Sequence, residues 1–248
     1  MRFLVKNFFP RGSVGTIASQ PGCGKSTFAN QLSYYTVQGK EQIWGEPMTP
    51  EHQRTLYVIT EDSPESTREW LKRQEEKLTE VQQENLIFYF DEGLGPKHML
   101  HELDKIAQKT PVDLIVIDVF GDYIEGTDSN NNMAVRNALK PFSEFAAKHD
   151  VVMILIHHSN KNAYNLPPSQ AQIQGASALV QKCRFSFILS ENVDQCSLSM
   201  VKAITLRRAK KTSYLVGTRS KYPLFQEKRR CLHKLNHPSE PRAEARGA

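Results

Sequence analysis

No apolar run in the 248-residue sequence approaches the roughly 18 residues that a membrane-spanning helix needs. The opening residues, Met1-Arg2-Phe3-Leu4-Val5-Lys6, are too few and too interrupted by charge to form the apolar stretch of a signal peptide. A cytoplasmic protein with no membrane partner is therefore expected. Cysteine is scarce: Cys23, Cys183, Cys196 and Cys231 show no C-x-x-C spacing, so neither a zinc site nor a disulfide framework is indicated. Internal repeats and low-complexity tracts are missing, and no linker precedes Pro223. What remains is a chain whose 39% apolar content suits a packed globular core. Its length suits one sizeable α/β domain or two small ones.

Acidic residues are short at one end only. Residues 201–248 hold 13 Lys and Arg against 3 Asp and Glu, which leaves the first 200 residues net acidic. A basic end of this kind fits contact with a polyanion, and it equally fits a solvated tail. We place the main domain over residues 1–222 and a basic C-terminal tail over residues 223–248.

The stretch Ile17-Ala18-Ser19-Gln20-Pro21-Gly22-Cys23-Gly24-Lys25-Ser26-Thr27 has the form of a phosphate-binding loop. An apolar strand runs into a glycine-bearing turn, and Gly-Lys-Ser opens a helix. Backbone N–H groups from Ser19 to Thr27 can converge on nucleotide phosphates, aided by the helix N-terminus behind them. Lys25 is expected to reach the β- and γ-phosphates, and the Ser26 hydroxyl to bind Mg²⁺. One position departs from the strict G-x-x-x-x-G-K-S/T form: Ser19 stands where the first glycine is usual.

Apolar runs over residues 13–18, 54–60, 85–90, 112–119 and 151–156 read as buried strands. They alternate with helices over 26–38, 63–78, 98–109 and 133–149, the last with Pro141 as a kink or break. Residues 1–11 read as a lead-in and 44–47 as a loop. A short helix over 177–181 and strands over 184–189, 198–206 and 213–216 follow. Unbroken apolar strands alternating with helices predict an α/β fold with a mainly parallel sheet covered on both faces. Ligands bind such sheets beyond the carboxyl ends of the strands. Candidate polar residues gather at those ends.

Asp118 ends the run Leu114-Ile115-Val116-Ile117, where a carboxylate can help to hold Mg²⁺ or merely cap a turn. Asp122 is a weaker candidate. Glu61 follows the strand over 54–60; it can orient or deprotonate an attacking water, or, with Asp62, begin a solvated helix N-terminus. His157 and His158 face opposite sides of an extended strand. One suits a structural role, and the other can hydrogen-bond a γ-phosphate. The long polar loop over 159–174 offers Lys161 and Asn162 to phosphates and Tyr164 to a base, as in single-strand binders, and a plain surface loop would look the same. Arg207, Arg208, Lys210 and Lys211 could supply an arginine finger to a neighbouring subunit or a solvated strand edge.

Together these blocks resemble the RecA-like ATPases, specifically the hexameric replicative helicases of the plasmid RepA type with their phage and mobile-element relatives. The resemblance covers about residues 8–216. It rests on Pro10-Arg11-Gly12, the phosphate loop, Tyr57-Val58-Ile59-Thr60-Glu61-Asp62-Ser63-Pro64, residues 114–118, His157-His158-Ser159-Asn160-Lys161, Gln174-Gly175-Ala176-Ser177-Ala178-Leu179 and Arg184. It implies ATP and Mg²⁺ as ligands, Glu61 as catalytic base, Asp118 as an aid to Mg²⁺ and His158 as γ-phosphate sensor. It also implies that the 159–174 loop touches single-stranded DNA in the channel of a homo-hexameric ring. Ser19 departs from the family pattern, as does Gln174 where arginine is common. The expected activity is an ATP-dependent DNA helicase acting in replication of a plasmid, phage or mobile element. Alternatives are a RecA-like ATPase that does not unwind and a nucleic-acid-binding protein whose assembly ATP controls.

Overall fold

A computed structural model describes residues 1–72, 78–123, 132–160, 167–173, 176–192, 195–203 and 213–217. In chain order the elements are β1 (Phe3–Val5), β2 (Phe9–Pro10), β3 (Ser13–Ser19), α1 (Lys25–Val37), β4 (Gln42–Ile43), β5 (Glu46–Pro47), β6 (Thr55–Ile59), α2 (Pro64–Lys72), α3 (Glu80–Asn85) and β7 (Leu86–Phe90). There follow α4 (Pro96–Lys109), β8 (Leu114–Asp118), α5 (Asn132–His149), β9 (Val152–His158), α6 (Ala176–Lys182), β10 (Phe185–Asn192), β11 (Gln195–Ala203) and β12 (Ser213–Gly217).

Among the described residues the main sheet has eight strands in the order β12-β11-β10-β3-β9-β8-β6-β7. From β10 to β7 every neighbouring pair is parallel, whereas β10-β11 and β11-β12 are antiparallel. The fold is thus α/β with a mainly parallel sheet, as the unbroken apolar strands predict. The alternation along each strand sorts side chains into two layers. Ile17, Tyr57, Ile59, Val116, Ile154, Ile156 and Phe187 face α1 and the β1–β2 hairpin. Val14, Ala18, Val58, Ile117, Leu155 and Ile188 pack with residues of α4, α5 and α6 on the other face. Gly15 is set by a close approach: a Cβ there would lie 2.0 Å from Phe185 Cε2 on the adjacent β10.

Several local expectations need correction. The charged helix does not reach 78: α2 is described over Pro64–Lys72, Leu78 lies outside any helix, and Thr79 caps a separate α3. Thr79 Oγ1 accepts from Gln82 N at 3.3 Å and Thr79 N donates to Gln82 Oε1 at 3.0 Å. This capping box demands extended backbone at Thr79 (ψ 165°), which a continuous helix excludes. Ser63 does serve the start of α2, its Oγ accepting from Ser66 N at 3.2 Å. Pro141 does not break α5, which continues to His149. It lies on the exposed face of the helix, where the ring and its missing N–H disturb no packed neighbour. The lead-in is a hairpin that buries Leu4, Val5, Phe8 and Phe9. The 44–47 loop belongs to a second small hairpin, β4–β5, turning at Trp44 and Gly45, both with positive φ.

Arg11 and Asp113 form a buried ion pair, Arg11 Nη2 to Asp113 Oδ1 at 2.5 Å, with side chains 2% and 0% exposed. Asp113 also accepts from the backbone N of Glu51 and of His52, each at 2.9 Å. The pair thereby ties the segment entering β3 to the connection before β6 and to the start of β8. Asp113→Ala would leave the Arg11 guanidinium buried with only Glu51 as a counter-charge, 3.3 Å away. The expected loss is about 3 kcal/mol of unfolding free energy, measured as a lowered urea midpoint.

Candidate nucleotide-binding site

The carboxyl ends of β3, β6, β8 and β9 come together because these strands are parallel and adjacent in the order β3-β9-β8-β6. Ser19 pairs with His158, and Ile59 with Asp118, so the last residues of all four strands share one rim. At that rim lies a cavity of about 360 Å³, within the size range of small-ligand pockets. Lys25, Ser26, Glu61, Asp62, Asp118 and His158 all line it, with Pro21, Gly22 and Thr27.

The turn after β3 has Gly22 at φ +79° and Gly24 at φ +84°, left-handed conformations that other residues adopt at a cost. Gly24 occupies the N-cap of α1 with no side-chain cap, so the orphan N–H groups of the first helical turn remain for a ligand. Ser19 has no positive φ and closes β3 in strand conformation, 1% exposed, its Oγ donating to Gln20 O at 2.8 Å. The local backbone therefore does not demand glycine there, which accounts for the departure from the motif. Ser19→Gly is expected to leave nucleotide affinity within about twofold and to cost about 0.5–1 kcal/mol of stability, read by a nucleotide titration and a thermal melt.

Lys25 is 7% exposed and donates from Nζ to Gln20 O at 3.2 Å. Burial lowers its pKa, against the pull of Asp118, Cys23 and Glu61, which favour the ammonium. Burial raises the pKa of Asp118; hydrogen bonds from Ser26 and Tyr57 and the charge of Lys25 oppose it, while Asp62 adds to the rise. The Tyr57 hydroxyl donates to Asp118 Oδ2 at 2.7 Å. Burial and the Asp118 charge push that phenol well above its ordinary value. The Asp118–Val119 peptide bond is cis. Thr60 Oγ1 accepts from Val119 N at 2.9 Å, joining the tips of β6 and β8.

The two histidines divide as the strand alternation predicts. His157 is 3% exposed and packs its ring against Phe120, 6.5 Å between centroids, in the layer of α5. His158 is half-buried and faces the cavity, and its Nδ1 has no hydrogen-bond partner among the described residues. Glu61 and Asp62 are exposed at the mouth.

Lys161, Asn162, Tyr164, Gln174, Arg207, Arg208, Lys210 and Lys211 lie outside the described residues, as do the Asp122 side chain and the 223–248 tail. The sequence reading gave no site role to Tyr57, Asn30, Trp70 or Phe88, all of which line the cavity.

The residues fit ATP with Mg²⁺. Among the described residues no group of three His, Cys, Asp or Glu could hold a metal ion. A hydroxyl and one carboxylate, Ser26 and Asp118, match an ion that takes few protein ligands and completes its shell with water and phosphate oxygens. No helix of the described residues is long and apolar enough to cross a membrane.

A family model described as an AAA domain matches residues 1–164. Among solved structures, a KaiC-like protein from the hyperthermophilic archaeon Pyrococcus horikoshii OT3 is similar, with a TM-score of 0.60 and 16% sequence identity over 86% of this chain and 90% of that one. No curated protein matches the chain.

Proposed function

The chain belongs to the AAA domain family, and on that footing we propose that it hydrolyses ATP with Mg²⁺ and works as a ring-forming motor on single-stranded DNA, a helicase in replication of a plasmid, phage or mobile element. The observation that carries the hydrolysis step is the convergence of Lys25, Ser26, Glu61, Asp118 and His158 on one cavity. The loop from Ser19 to Thr27, through its backbone N–H groups other than at Pro21, and the Lys25 ammonium hold the β- and γ-phosphates. Ser26 and Asp118 would hold Mg²⁺, which when bound neutralises charge on those phosphates. Glu61, at the mouth, orients and deprotonates the attacking water. His158 donates to a γ-phosphate oxygen.

The link to DNA runs through the residues after His158. Ser159 N donates to Ser19 O at 2.9 Å, and Asn160 N to Gln172 O at 2.7 Å, so both ends of the polar loop are fixed beside the phosphate loop. Asn160 Nδ2 adds a bond to Ala171 O at 2.8 Å. A change at His158 on loss of the γ-phosphate is thereby passed to Lys161, Asn162 and Tyr164, which take the DNA strand. In a hexamer, Arg207 or Arg208 of a neighbouring subunit completes the nucleotide site. A forked DNA substrate tests the motor. ATP-dependent strand displacement is expected. Hydrolysis stimulated by single-stranded DNA without displacement would assign the chain to the RecA-like ATPases that do not unwind. Hydrolysis indifferent to DNA would contradict the motor.

A further inference from the structure

We propose that Tyr57 is a positioning residue for the metal-binding carboxylate, its hydroxyl fixing Asp118 in the orientation that receives Mg²⁺; the proposal rests on the ATPase reading above. Ile59, not Tyr57, is the cross-strand neighbour of Asp118, and Tyr57 sits two residues deeper on the same face of β6. From there its ring spans the distance to the strand tip and delivers a 2.7 Å hydrogen bond to Asp118 Oδ2. Tyr57 is 3% exposed, so packing fixes the donor. Its ring lies against Phe88, its cross-strand partner on β7, with centroids 6.0 Å apart. Phe88 has a similar aromatic body without a hydroxyl, so packing in this layer does not itself require one.

A carboxylate at the end of a strand turns freely about its last torsion unless something holds it. One of its oxygens is committed to Tyr57, and Ser26, on the first turn of α1, lines the same cavity. Asp118 is thus held from β6, and its remaining acceptor positions open to the cavity beside the phosphate loop. Partners that orient a metal-binding group in this way commonly change metal affinity by 10- to 100-fold when removed.

Tyr57→Phe keeps the ring and removes only the donor. The experiment titrates MgCl₂ into full-length protein with a fluorescent ADP analogue, and compares nucleotide binding in EDTA. The expected result is an Mg²⁺ requirement raised about tenfold, with EDTA binding and the thermal melt little changed. The same substitution is then made in an Asp118→Asn background, where it should produce no further shift, because the hydroxyl acts through the carboxylate. An unchanged Mg²⁺ requirement in Tyr57→Phe would overturn the positioning role alone. Weakened binding in EDTA, or an equal shift in both backgrounds, would make Tyr57 a packing residue and overturn it too. Wild-type protein that binds the analogue with no Mg²⁺ dependence would overturn the ATPase reading together with this inference.

Discussion

Lys25→Ala is expected to lower ATP turnover by about 10³-fold or more, which corresponds to at least about 4 kcal/mol of lost transition-state stabilisation. In the proposed function the Lys25 ammonium reaches the phosphates, and it lies where water is partly excluded, 7% exposed within the wall of the cavity. A charge in that setting is worth far more than one in water. The fold should not suffer. Burial lowers the Lys25 pKa from 10.5, so at neutral pH the charged form is disfavoured by folding. That penalty is fully present below the folded-state pKa and disappears as pH rises through the unfolded value. Alanine removes it, and the melting temperature at neutral pH should stay level or rise. Phosphate release and a thermal melt on the same preparation check both halves. Loss of activity accompanied by a lower melting temperature would turn Lys25 into a structural residue.

Glu61→Gln separates binding from chemistry. Glutamine keeps the size and the hydrogen-bonding reach, and it lacks the basic carboxylate. If Glu61 takes a proton from the attacking water, turnover should fall by about 10²–10⁴-fold. Nucleotide affinity should hold or tighten, because a negative charge near the γ-phosphate is gone. The measurement is kcat beside the dissociation constant of a nucleotide. Equal losses in both would assign Glu61 to binding, and no loss in either would leave it as an exposed residue before α2, where acidic side chains suit the helix dipole.

The site was legible in the sequence to the extent that parallel topology made it so. Once β3, β6, β8 and β9 are parallel and adjacent, their last residues must share a rim, and Ser19, Glu61, Asp118 and His158 fall near it with no further information. Alternation along β9 separated His157 from His158 for the same reason. Contacts that cross between strands were less visible. The Tyr57 hydroxyl reaches Asp118 only because the two strands are neighbours in a particular register, and nothing local at either residue encodes that. The β1–β2 and β4–β5 hairpins escaped because strands of two or three residues carry no period. The break between α2 and α3 was readable in Thr79-x-x-Gln82, but charge over residues 63–78 concealed it. Ser19 is the mismatch that the structure resolves: the position takes strand conformation, and the left-handed turns fall at Gly22 and Gly24.

Steady-state phosphate release by the purified full-length protein, given ATP with Mg²⁺ and assayed with and without single-stranded DNA, tests the central claim most directly. Hydrolysis that requires Mg²⁺, that Lys25→Ala removes and that single-stranded DNA accelerates is the predicted result. A wild-type protein that binds ATP yet releases no phosphate under either condition would contradict it.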